Sequence, residues 1–353
     1  MHQQQARPRP VVAAGVAAPY VLLGLTLGAT MVVALGIGAV SIPVGTVADV
    51  VLQRLGVAAD VSLLDDQIVW QLRLPRVLGA AATGAGLAIC GAVLQSLTRN
   101  DLADPYLLGI SGGATVGAVS VIVLGVSVAG LISATMIALG AFAGALAALA
   151  LVLVLATGRS GALPPSRTVL AGVAIGQICA AYTSFVVIMS GDHDAARRVL
   201  SWTLGSLAGL RWGSALFLCA VAVLAIVLIM AFTSDLDAFA FGESSAGSLG
   251  VSITVTRWTL LVGTALLTAS LVAFTGAIGF VGLVVPHVIR LVWGPLHRRL
   301  LPLSALAGAI LLVWADTIAR SLVSGEEIPI GVVTAVVGAP MFAWLLRREG
   351  RDA

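Results

Sequence analysis

The chain has 353 residues, 59% hydrophobic and 10% charged, with a formal net charge of +3 and a mean hydropathy of +1.08. Soluble domains carry about 25% charged residues, so a water-soluble fold is excluded, and recurring unbroken apolar runs exclude a spanning barrel, whose strands read as alternating segments of about ten residues. All 19 basic residues are Arg; a Walker A loop needs a Lys to reach the phosphates, so the chain is not a P-loop ATPase and any ATP-derived energy must come from a partner.

Apolar runs bounded by Gly, Pro and charge predict an all-α, polytopic membrane protein with about ten transmembrane helices, at 17–40, 76–97, 107–125, 130–156, 168–190, 212–232, 254–274, 278–293, 300–319 and 329–346. The whole chain, 1–353, reads as a single transmembrane domain. The first run is too long for a signal-peptide core and shows no small-x-small cleavage site, so it reads as a retained helix. With the N-terminus in the cytoplasm, Arg7, Arg9, Arg99, Arg159, Arg167, Arg257, Arg290, Arg298, Arg299, Arg347, Arg348 and Arg351 fall at cytoplasmic ends, and an even number of spans puts both termini there. The outer segments then hold Asp60, Asp65, Asp66, Asp192, Asp194, Glu326 and Glu327.

Two stretches do not read as spans. Residues 195–209 (AARRVLSWTLGSLAG) are too short to cross and too apolar for an open loop, which predicts a short outer-side helix. Residues 234–252 (SDLDAFAFGESSAGSLGVS) lie between two spans on the cytoplasmic side, with apolar Phe239, Phe241, Ala246 and Leu249; a short amphipathic helix there would dock on a cytosolic partner. Gly pairs three residues apart between them, Gly109 with Gly113, Gly140 with Gly144 and Gly172 with Gly176, predict close helix contacts. Cys90, Cys179 and Cys219 lie in apolar runs without metal-ligand spacing and read as packing residues.

Four ordered stretches carry a family resemblance: Gln71 to Arg76 (QLRLPR), Gly91 to Gly113 (GAVLQSLTRNDLADPYLLGISGG), Gly276 to Arg290 (GAIGFVGLVVPHVIR) and Glu327 to Pro340 (EIPIGVVTAVVGAP). With them the chain resembles the FecCD-type permeases, membrane subunits of ABC importers for iron siderophores, haem and vitamin B12. The resemblance implies a B12-permease-like fold of the type II importers in a bacterial inner membrane. It also implies a second permease copy (homodimer or related heterodimer), two ABC ATPase subunits and an extracytoplasmic substrate-binding protein. It implies no cofactor, no resident metal and no nucleic-acid partner.

Family positions that dock the binding protein match Arg73, Arg76 and Arg320. The guanidinium fork suits carboxylates. Anchoring of a helix end, and an i, i+4 pair of Arg320 with Asp316, remain open for the same residues. The family's ATPase-coupling helices match residues 242–251, giving Phe241, Gly242, Glu243, Ala246, Leu249 and Gly250 as coupling candidates, with Gly247 where a basic residue is usual. Ser166 matches the start of a gating helix and is equally a plain helix cap. Asp101 departs from the family's usual Asn-Pro-Leu-Ala-Asp-Pro, standing where the Pro is usual, although Asn100, Asp104 and Pro105 retain the turn chemistry.

His287, beside Pro286, finds no acidic partner in register and reads as a helix-end hydrogen bonder rather than a metal ligand. An ion-coupled secondary transporter would rely on a buried intramembrane carboxylate, for which only Asp316 is a candidate, and Arg320 at i+4 would neutralise it. A Gly-x-Ser-Gly run around Ser111 is too short to establish an intramembrane protease. The wording of the sequence favours an iron chelate (siderophore or haem) as cargo, with cobalamin as the alternative.

Overall fold

The computed structural model describes residues 11–38, 40–57, 61–125, 134–157, 161, 163–323 and 325–352, where every regular element is a helix. In chain order these are α1 (Val11–Gly36), α2 (Val44–Arg54), α3 (Leu63–Thr98), α4 (Ile110–Leu124), α5 (Ala134–Ala156), α6 (Pro165–Ser190), α7 (His193–Leu204), α8 (Trp212–Met230), α9 (Thr233–Phe239), α10 (Glu243–Ser248), α11 (Ile253–Thr275), α12 (Val281–Trp293), α13 (His297–Ala319) and α14 (Ile330–Asp352), with a 3-10 turn at Pro105–Leu108. Among the described residues seven helices are long and apolar enough to cross a membrane, and α4, α12 and α14 supply three shorter apolar stretches. Each of the ten expected spans falls on one of these helices. Arg7, Arg9, Arg159 and Asp60 lie outside the described residues.

The axis of the bundle is α3, whose middle is buried on all sides between α13, α8, α12 and α11. Outward faces of α1, α5, α6 and α8 carry exposed Leu25, Val154, Ile188 and Val227, as hydrocarbon contact requires. Small residues let the inner helices touch backbone to backbone: a Cβ added at Gly91 would lie 1.7 Å from the Gly282 carbonyl oxygen, and one at Gly117 1.9 Å from that of Gly140. Gly113 meets Gly144 in the same α4–α5 seam, and Gly109 approaches Gly172 of α6. The glycine pairs flagged in the sequence thus serve helix contacts.

Two features differ from expectation. An amphipathic helix, α2, lies between the first two spans and buries Val47 and Val50. The second span begins at Leu63, not near residue 76, because Pro75 does not end the helix. A proline removes one N–H and crowds the carbonyl four residues back; here Gln67–Arg73 takes π-helical form, with the Leu74 amide donating to Val69 O. That wider turn carries the chain past Pro75 and aims Arg73 inward.

Candidate functional site

The α7 end of the bundle gathers the three arginines expected to dock a partner. Arg73 and Arg320 are 7% and 8% exposed. Arg73 donates from Nη1 to Leu35 O (2.7 Å) and Gly36 O (3.1 Å), and from Nη2 to Val40 O, while Arg320 donates to Ala34 O. Both guanidiniums therefore cap the C-terminus of α1, where a helix leaves carbonyls unpaired and favours cations. Gly38 makes room, since a Cβ there would strike the Arg73 guanidinium.

Arg76 forms the charged centre of this end. Its Nε donates to Asp316 at 2.9 and 3.0 Å, and its two Nη atoms to Glu327 at 2.8 and 3.1 Å. Asp316 is 1% exposed, and Arg320 stands 3.7 Å from it. The expected i, i+4 pair exists, but the closer partner of Asp316 comes from α3. Arg73 and Arg320 bind backbone carbonyls and Arg76 binds two carboxylates, the arrangement that anchoring of a helix end requires. Beside them opens a cavity of about 600 Å³ that also reaches Arg211, Glu326 and Glu327.

At the opposite end, residues 234–252 form two helices, α9 and α10, rather than one. Phe239 (1%) and Ala246 (0%) point into the protein, whereas Phe241 (75%) and Leu249 (70%) are exposed. Gly242 (φ 94°) and Gly250 (φ 88°) turn the chain before and after α10, in the left-handed region that Gly enters freely. Glu243 faces inward to Arg257 Nη2 at 2.9 Å. Of the six coupling candidates, then, Phe241 and Leu249 leave their side chains exposed, Gly242 and Gly250 shape the turns, and Ala246 and Glu243 hold the segment to the bundle. Ser166 is exposed in the first turn of α6, and the cap position is Pro164, so the capping reading of Ser166 is not met.

A polar network behind this face escaped sequence reasoning. Asp237 accepts from the His297 backbone N–H (2.9 Å) and from Nδ1 (2.6 Å), and Nε2 of the same ring lies 2.5 Å from Ser96 Oγ. The order Ser-His-Asp is that of a hydrolase triad. Here Ser96 sits within α3, donates to Ala92 O at 2.9 Å, and is surrounded by amides committed to the helix, so no oxyanion site faces it. Asp235 accepts from Thr256 at 2.9 Å, and Arg257 also donates to Leu163 O. His287 does have an acidic neighbour, correcting the expectation: Asp101 lies 3.7 Å from its Nδ1, and Arg290 donates to Asp101 at 2.6 Å. The altered turn keeps its form, with Asn100 accepting from Leu102 N and Asp104 from Tyr106 N. A cavity of about 630 Å³ runs past Arg99, Asp101, Asp237, Phe241, Arg290 and His297.

Among the described residues, nine apolar helices around the buried α3, ion pairs at one end and exposed apolar side chains flanking short helices at the other define a multi-pass membrane permease. The model of the FecCD transport family matches residues 25–348, and the chain belongs to that family, as a permease subunit of an ABC importer. The cobalamin import system permease protein BtuC of Halobacterium salinarum is 44% identical over 291 residues, covering 80% of this chain and 74% of the relative. The vitamin B12 import system permease protein BtuC of Vibrio cholerae is 44% identical over 288 residues, covering 82% and 85%. A solved inward-facing structure assigned to the metal-chelate type of ABC transporter superposes with a TM-score of 0.80 at 30% identity, covering 96% of this chain and all of that one.

Proposed function

We propose that this permease moves a metal enclosed in an organic chelator inward by alternating access, with the α9–α10 end in the cytoplasm on the ATPase and the α7 end receiving cargo from a binding protein. The observation that carries the orientation is the exposed pair Phe241 and Leu249, two large apolar side chains on a helix pair whose carboxylates all turn inward. Such a face suits burial in a cleft of a partner. The arginine distribution agrees, since Arg99, Arg167, Arg298, Arg299 and Arg347 stand at that end. Both termini are then cytoplasmic and the membrane is a bacterial inner membrane. Docking of the binding protein falls to the rim of the cavity at the α7 end, where Arg211 and Glu326 remain exposed, and Arg73, Arg76 and Arg320 support that rim from beneath. Ser166 retains a gating role by its place at the start of α6.

Two cargo readings stand. The sequence wording favours a ferric siderophore or haem, and the two relatives at 44% identity, both named for cobalamin, favour the corrinoid. The test is reconstitution in liposomes with the ATPase and the binding protein loaded in turn with cobalamin, ferric siderophore and haem. Uptake and stimulated ATP hydrolysis with one ligand identify the cargo. Uptake driven by an ion gradient without ATP refutes the importer reading.

A further inference from the structure

The three carboxylates of the α9–α10 segment each hold the N-terminal part of a spanning helix. Asp235 and Glu243 bind Thr256 and Arg257, both at the start of α11. Asp237 takes both the backbone N–H and Nδ1 of His297, the first residue of α13. The far side of that imidazole meets Ser96 in the last turn of α3. One ring, 4% exposed, thus joins the short-helix segment, α13 and the axial helix of the bundle.

We propose that His297 is the joint through which a displacement of α9–α10 enters α3, with Asp237 and Ser96 as its two anchors. The inference rests on the reading that α9–α10 meets the ATPase. Contacts of 2.5 to 2.9 Å between these groups leave little slack, and separating them would strand desolvated polar groups, so the link moves as a unit rather than parting. Helices are stiff bodies, and a pull on the end of α3 shifts its whole length against the helices that wrap it. Arg257 fixes the other end of the segment: it binds Glu243, holds Leu163 O ahead of α6 and lies 5.6 Å over the Phe239 ring. His297 is a positioning residue, acting without touching cargo.

The test uses the assembled importer in liposomes, with ATP hydrolysis and cargo uptake read from the same vesicles. His297→Ala removes the side-chain bonds to Asp237 and Ser96, keeps ATP hydrolysis stimulated by the loaded binding protein and lowers cargo imported per ATP by at least about tenfold. Asp237→Asn lowers the same ratio, and the double variant falls no further than His297→Ala, because both changes break one link. His297→Gln, which keeps an N–H donor, regains at least half of the lost ratio. If His297→Ala does not assemble, Ser96→Ala removes the α3 anchor alone and carries the same expectation. An unchanged ratio, or hydrolysis and uptake falling in proportion, overturns the proposal. Failure of the unmodified complex to import with ATP would instead refute the importer reading.

Discussion

Arg76→Met removes the closer cation from Asp316, a carboxylate that is 1% exposed and bonded through both oxygens. Breaking a buried pair from one side costs about 3–5 kcal/mol, because the remaining charge has lost both water and partner. Arg320, at 3.7 Å, offsets part of this loss, and the Glu327 arm, on a side chain 46% exposed, adds little. The expected cost is therefore about 3 kcal/mol, roughly a 150-fold shift in the unfolding equilibrium. Adding Asp316→Asn should recover at least about 1.5 kcal/mol, since neutral groups of similar size carry a smaller desolvation penalty. The assay is reversible unfolding in mixed micelles, run beside binding-protein affinity for the folded fraction. A loss below about 1 kcal/mol, or strictly additive costs in the double variant, would refute the buried-pair argument. Lost affinity with unchanged stability would return Arg76 to a docking role.

Gly91→Leu, placed where a Cβ already meets the Gly282 carbonyl at 1.7 Å, should abolish folded protein, whereas Gly24→Ala, with nothing within 4 Å, should leave thermal stability unchanged or higher; size-exclusion profiles in detergent separate the two. Phe241→Ala with Leu249→Ala should weaken ATPase binding by at least about tenfold with little change in the melting temperature, because these side chains are mostly exposed in the free subunit; a titration against purified ATPase measures it. Burial pushes the Asp104 carboxyl up to about 6, against the opposing bond from Tyr106 N. A folded value raised above the ordinary 3.8 means that its stabilisation is complete below pH 3.8 and lost as pH rises through about 6. Asp104→Asn keeps the acceptor for Tyr106, so it should be more stable than the parent at pH 7.5, on the order of 2 kcal/mol, with the gap closing below about pH 4.

The spans were legible because their signal is composition over some twenty residues, which needs no knowledge of neighbours. Helix α2 was not, being too short to span and only half apolar, and the start of α3 was hidden by Asp65, Asp66, Arg73 and Pro75, all of which read as a boundary. The arginines were found but most of their contacts were not. Whether Arg73 reaches outward or into α1 depends on the π turn before Pro75 and on the space at Gly38, features 35 residues apart (73 minus 38). Asp237 and His297 are 60 residues apart and Ser96 and His297 are 201 apart, so no local pattern announces their meeting. The segment at 234–252 was legible as short helical structure between two spans, while the inward turn of its carboxylates required the starts of α11 and α13 beside it.

The clasp on α1 also orders assembly. Arg73 finds its carbonyl partners 38 residues back, as soon as the first two spans lie side by side, but Arg320 must travel 286 positions to reach Ala34. A cation of this kind is costly to leave unpaired in hydrocarbon, so α1 is first retained by one hook and locked by the second only after α13 has been inserted. The last arginine but three thus returns the chain to its first helix, with only α14 still to follow.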